Sequence, residues 1–149
     1  MGTYRKGLIV VKHLFILGAL LPLFAACTTQ QELDISPVQR TFTTTENYQV
    51  VYARLNKMMR ACSWAPIIDG QIYTDLRYGE VTVALPNGMP LDYAKVVPDG
   101  AATRVELKSV RKAIVPDVRQ KSIAWMEYWA KGGATCNAPI GIGNPPQTK

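Results

Sequence analysis

The sequence predicts a small α+β domain of two layers, in which an antiparallel meander of three or four strands packs against an N-terminal and a C-terminal helix. Three observations lead there. Residues 48–62 repeat apolar side chains at helical spacing. Residues 71–108 alternate apolar and polar side chains in short runs broken by turn residues. The stretch after Pro116 carries tryptophans at helical spacing and stops at Gly132-Gly133. Strands enclosed between helices make a sheet with one covered face. The folded part is expected to span residues 46–136, about 90 residues, which is the size of one small domain.

In the first helix Tyr48, Val51, Tyr52, Leu55, Met58, Met59 and Cys62 recur at i, i+3, i+4 and i+7, within an arc of about 120°. Arg54, Lys57 and Arg60 fall opposite. Thr43 and Glu46 have capping-box spacing, and Thr45 is a second candidate cap. Pro66 bars continuation far beyond Trp64. Asp69-Gly70 reads as a turn. "QIYTDLRY" (71–78) then sets Ile72, Thr74 and Leu76 against Tyr73, Asp75 and Arg77, and "EVTVALP" (80–86) puts Val81, Val83 and Leu85 on one face. Asn87-Gly88 predicts a tight turn, and Pro90 places the next strand's start late or on an edge. "LDYAKVV" (91–97) is the weaker third strand, followed by a turn at Pro98-Asp99-Gly100. "TRVELK" sets Thr103, Val105 and Leu107 against Arg104, Glu106 and Lys108.

The last helix follows Pro116, a residue suited to the first helical position. Val118, Trp125 and Trp129 share a face with Tyr128 at its margin, while Lys121 and Ser122 interrupt the stripe. Gly132-Gly133 ends it. Residues 137–149 read as a loosely ordered tail. The Thr- and Gln-rich residues 27–45 read as a flexible tether with a typical end-to-end distance of about 20–25 Å.

The N-terminus is of another kind. Arg5, Lys6, Lys12 and His13 precede an uncharged, mostly apolar run from Leu14 to Ala26, and no acid occurs before Glu32. That order describes a secretory signal, and the run is short of the roughly 20 residues a spanning helix needs. Leu23-Phe24-Ala25-Ala26-Cys27 resembles the lipobox of bacterial lipoproteins, departing from it at Phe24, where Leu is commoner. The resemblance covers residues 1–27 only and implies cleavage before Cys27 and lipidation of its thiol by diacylglycerol, with acylation of the new amine. Thr28 in place of Asp implies sorting to the outer membrane of a Gram-negative cell, with the domain facing the periplasm. Lys6 stands where a myristoylation signal needs Ser or Thr.

Two consequences follow from that address. Cleavage removes three of the 17 Lys and Arg and none of the 11 acids, which lowers the net charge from +6 to +3. A charge of +3 is a mild bias toward anionic surfaces and implies no nucleic-acid partner. With Cys27 lipidated, Cys62 and Cys136 remain as an even pair in an oxidising compartment, so one disulfide is expected between them.

For chemistry, absence is the main signal. The sole histidine, His13, leaves with the signal, which removes His-based triads and His metal ligands from the mature chain. No EF-hand spacing or phosphate loop occurs, so no metal and no cofactor is expected. Ser109-Val110-Arg111-Lys112 matches Ser-x-x-Lys, the spacing of penicillin-recognising enzymes, without the companion Ser-Asp-Asn or Lys-Thr-Gly. Acids occur singly.

The candidate interaction surface comprises Arg104, Lys108, Arg111 and Lys112, with Arg119 and Lys121 nearby, and the aromatics Trp125, Tyr128 and Trp129. The basic group is either a solvated face or a contact for anionic headgroups or an acidic partner. The aromatics are core, or interface anchors if exposed. The expectation is a non-catalytic, lipid-anchored envelope protein serving as adaptor or accessory subunit to another envelope protein. A binding module for a lipid, glycan or peptide is the alternative, and it requires a lined apolar cavity between sheet and helices. A small hydrolase is the third, and it requires carboxylates converging in a cleft.

Overall fold

The computed structural model describes residues 28–63, 65, 67–111, 117–136 and 144–146. Along them run helix α1 (Thr28–Ile35), strand β1 (Arg40–Thr44), helix α2 (Tyr48–Cys62), strands β2 (Ile67–Tyr73), β3 (Tyr78–Ala84), β4 (Pro90–Asp99) and β5 (Ala102–Ser109), and helix α3 (Val118–Ala130). The strands form one antiparallel sheet in the order β1-β5-β4-β3-β2. Strands β2 to β5 are the expected meander. The chain reaches it by carrying α2 from β1, at one edge, to β2, at the other.

Helix α2 forms where its stripe predicts, and all seven stripe residues are buried. Its cap differs from the expectation. Asn47 is the N-cap, its side chain accepting from the Gln49 N–H at 2.8 Å. Thr43 lies in β1, and Glu46 instead pairs with Arg54 across two turns of chain. In α3 the buried stripe is Ser122, Ile123, Trp125, Met126, Trp129 and Ala130. Ser122 therefore belongs to the stripe, because its side chain is small enough to lie under the packed rings. Asp117 occupies the N-cap position and Val118 opens the helix; Pro116 lies outside the described residues.

The turns are corrected in two places. Asp69-Gly70 lies inside β2, and the turn falls at residues 74–77, where Arg77 takes φ 56°. Gly70 is needed in the strand for closeness rather than for turning: a Cβ there would lie 2.5 Å from Asn56 Oδ1 of α2. The turn at Asn87-Gly88 is as expected, with the Gly88 N–H donating to Leu85 O at 2.9 Å. Pro90 opens β4, which is a central strand rather than an edge. The first position of a strand is where a missing N–H is tolerated.

Residues 28–44 depart most from the sequence reading, since they carry α1 and β1 instead of a tether. β1 joins the sheet through β5, with Phe42 opposite Val105. Just before it, the Gln39 side-chain amide pairs with the backbone of Ser109 at 2.8 and 2.9 Å, in the manner of another strand residue. A five-residue Thr-rich strand with one apolar side chain is a weak sequence signal, and its pairing is decided by the ready edge of β5. Helix α1 lies on the face of the sheet opposite α2 and α3 and is seated by Leu33, which is 3% exposed. The second face is thus partly covered, by residues that precede the expected start of the folded part at residue 46. Among the described residues no helix is long and apolar enough to cross a membrane.

The core lies between the sheet and helices α2 and α3. Cross-strand rows such as Gly70–Val81–Ala94–Leu107 and Gly79–Val96–Val105–Phe42 face the helices. Trp125, Trp129, Leu55, Met59 and Met126 fill the space above them with no exposed surface. Arg54 ties α2 to the end of α3 by donating to Ala130 O at 2.9 Å. Cys62, ending α2, and Cys136, beyond α3, are joined by a disulfide with Cα atoms 5.3 Å apart across a sequence separation of 74. Closing a loop of that length is worth about 4.5 kcal/mol in the chain-entropy model.

Candidate interaction surface on the outer sheet face

Alternation along the strands aims a second set of side chains away from the helices. The register assembles them into rows. One reads Gln71–Glu80–Lys95–Glu106–Thr41, and a second Asp69–Thr82–Tyr93–Lys108. Tyr73 faces Tyr78 where β2 meets β3, their ring centroids 4.6 Å apart. Opposite charges therefore stand side by side across strands, the arrangement that stabilises a sheet surface. Lys95 lies 3.8 Å from Glu80 and 4.6 Å above the Tyr78 ring, and Arg104 pairs with Glu106 at 3.2 Å.

Two depressions lie on this face. One, about 290 Å³, is bounded by Leu33 and Asp34 of α1 and by Glu80, Thr82, Tyr93 and Lys108. The other, about 450 Å³, is shallower and lies at the far end, between the 74–77 turn and the ends of β4 and β5. Tyr78 and Val97 line it, with Arg77, Lys95, Arg104 and Glu106 around them. Three cations against one carboxylate make that end electropositive.

Tyr93 donates to Glu80 between the two depressions, under Lys108, whose Nζ is 5.9 Å from the ring centroid. Burial, and next the hydrogen bond to Glu80, push the Tyr93 phenol well above its usual range. Above about pH 10 the unfolded chain's tyrosine releases its proton while the folded phenol keeps it, so stability is present below that pH and falls as pH rises. Tyr93→Phe is expected to flatten the loss of stability between about pH 10 and 12, read by urea unfolding at each pH. Tyr52 and Tyr73 shift the same way, chiefly by burial, so an unchanged slope would assign the effect to them.

The sequence-derived candidates separate. Arg104 and Lys108 are on this face. Arg111 is not: it is buried at 6% exposure, its guanidinium bound to Asp92 on the helix-covered side at 2.9 and 3.0 Å. Trp125 and Trp129 are fully buried, so they are core and leave the candidate surface. Large apolar rings gain more from filling the space between helix and sheet than from contact with water. Tyr128 stays at the margin, its hydroxyl 3.0 Å from Thr135 Oγ1. Cys27 and Lys112 lie outside the described residues. Ser109 ends a strand and its Oγ accepts from the Arg111 N–H at 3.4 Å, so the Ser-x-x-Lys spacing has no helical turn to act across. Among the described residues no three His, Cys, Asp or Glu side chains converge in a metal-binding group.

The sequence reading missed Tyr73, Tyr78, Glu80, Tyr93 and Lys95. Their signal was the polar half of each alternation, which shows that a residue faces outward without showing what stands beside it. Of the tail, Pro145 and Pro146 border a groove with Arg40, Ala124, Glu127, Tyr128 and Lys131. Compared with protein-family models, curated proteins and solved structures, the chain matches none.

Proposed function

We propose that this is a non-catalytic, lipid-anchored protein of the cell envelope. It is held by Cys27, faces the periplasm from the outer membrane, and acts as an adaptor or accessory subunit that docks another envelope protein on the outer sheet face. The observation that carries the reading is the division of the molecule into a filled interior and a tyrosine- and charge-bearing exterior. A lipid or peptide held between sheet and helices needs a lined apolar cavity. Trp125, Trp129, Leu55, Met59 and Met126 occupy that space. The depressions outside are bounded by polar and charged side chains together with tyrosines, which is the mixture found at protein contacts. The Cys62–Cys136 bridge supports an oxidising compartment.

The proximity of anchor and domain adds to this. Helix α1 begins one residue after Cys27, so an acylated chain would hold the domain against the bilayer and limit docking to partners in or near the membrane. A photo-crosslinking amino acid at Tyr78, in the full chain in intact cells, is expected to capture one reproducible envelope protein. The same probe at Val50, which is 53% exposed on α2, serves as control. Equal capture at both positions would overturn the docking face. A reproducible bound small molecule with no protein neighbour would replace the adaptor by a binding module.

A further inference from the structure

The two edges of the sheet are unlike. Strand β1 has five residues, and its side chains are engaged from α3: Arg40 pairs with Glu127 at 3.2 Å, and Lys131 Nζ lies 5.0 Å from the Phe42 ring centroid. Strand β2 has seven residues, Ile67-Ile68-Asp69-Gly70-Gln71-Ile72-Tyr73, and among the described residues it has a strand neighbour on one side only. Its outward N–H and C=O groups are therefore a template for another strand. Sheet edges are normally blunted by lysine, proline or a bulge. β2 contains no Lys, Arg or Pro and pairs with β3 without a register shift; the shift in the sheet lies between β3 and β4, at Val83/Ala84. Ile67 and Ile72 are 40% and 38% exposed, among the few large apolar side chains left in water.

We infer that the β2 edge pairs with the β2 edge of a second copy of this chain, antiparallel about a two-fold axis at Gly70, to make a continuous ten-stranded sheet. The occupant is identified by self-complementarity. With the two glycines opposite each other, all seven residues pair. Ile68 meets the partner's Ile72 on the helix-covered side, and Ile67 meets the partner's Tyr73 on the outer side. Asp69 meets the partner's Gln71, twice by symmetry, so each carboxylate faces an amide that can donate to it. Within one chain the amide oxygen accepts from the Tyr73 hydroxyl at 2.5 Å, while Nε2 has only a 3.5 Å contact with its own Asp69 Oδ2, so the donor end is left for a partner's carboxylate. Shifting the pairing by two residues toward the N-terminus would oppose the two Asp69 carboxylates. Shifting it by one would move every side chain to the other face. Gly70 at the axis adds no side chain to the crossing. A two-fold interface of this kind uses one patch against itself, and it stands whether or not Cys27 is acylated.

The test uses the full chain in its membrane. Gln71→Lys places an amine opposite the partner's Asp69, and treatment with a water-soluble carbodiimide is expected to give a covalent dimer joined through Asp69 and the lysine introduced at position 71. Adding Asp69→Asn is expected to abolish that product, and Thr41→Lys on the other edge is expected to give monomer. In detergent, the two new charge pairs are expected to tighten the dimer about 2- to 30-fold, and the near-isosteric Gln71→Glu to loosen it by a similar factor. Monomer alone from the Gln71→Lys chain, at an unchanged melting temperature and with no intrachain bridge from position 71 to Glu80 or Asp69, would overturn the pairing. So would a dimer joined through any other acid. If the lysine variant melts early, or where such an intrachain bridge forms, a photo-crosslinker at position 72 in the otherwise unaltered chain decides, homodimer for and monomer against. Neither result depends on the hetero-partner captured at Tyr78.

Discussion

Asp92→Asn is expected to lower the unfolding free energy by about 3–5 kcal/mol, the usual cost of removing one member of a buried ion pair. Asp92 has no exposed surface, and the Arg111 side chain keeps only 5%. Neither charge is stable there alone, because the interior cannot replace the hydration each gives up. Together they form a two-pronged pair, Arg111 Nε lying 3.0 and 2.9 Å from the two carboxylate oxygens. The asparagine keeps the shape and removes the charge, leaving the guanidinium buried opposite a neutral amide. A domain of this size has about 5–15 kcal/mol in all, so the variant should sit near its unfolding midpoint in mild urea. Asp92→Leu combined with Arg111→Met is expected to recover most of the loss, since apolar residues of similar volume commonly replace buried pairs at little cost. Urea unfolding of the oxidised protein measures both. A cost under about 1 kcal/mol for Asp92→Asn would mean that water reaches the pair. The backbone of Arg111 is also tied to α3: Arg119 Nε donates to Arg111 O at 3.3 Å.

Cys27→Ala is expected to abolish labelling by a radioactive fatty acid and to release the protein from membranes on fractionation. A single acyl chain binds a bilayer only marginally and two or more hold it stably, so under the proposed lipidation the loss of this thiol takes attachment from stable to absent. Labelling that persisted would remove Cys27 as the anchor and, with it, the support for the outer-membrane address. Because α1 starts at Thr28, an alanine variant that kept its domain intact would separate attachment from folding in one experiment.

How far the sequence could be read depends on whether a signal is local. The α2 stripe was legible in full, because seven apolar residues at helical spacing have only one way to share a face. Strands β3 and β5 were legible for the same reason at period two. The Asp69-Gly70 turn was misread because glycine has two uses. Here it admits Asn56 within what would be 2.5 Å of a Cβ instead of bending the chain, and the reason lies on a helix, fourteen residues earlier. Strand β1 is not legible as a strand, because five residues with one phenylalanine have no pattern of their own. The edge of β5, some sixty residues later, makes them a strand. Trp125 and Trp129 were left between core and interface, since a tryptophan at helical spacing suits either until the opposing surface is known.

By itself the sequence determined the α+β class, the order of the meander and its two flanking helices, and which half of β3 and of β5 turns outward, all of which follow from periodicities spanning a few residues. The Cys62–Cys136 pairing was legible too, from the cysteines that remain once Cys27 is set aside as the expected lipid site. The tertiary structure alone decided that the sheet has five strands and a partly covered outer face, that Arg111 is buried against Asp92, and that Tyr73, Tyr78, Glu80, Tyr93 and Lys95 share one surface. Those facts depend on cross-strand register and on layers meeting. Register is set by contacts between residues far apart in the chain, where a single sequence holds no record of which neighbours meet.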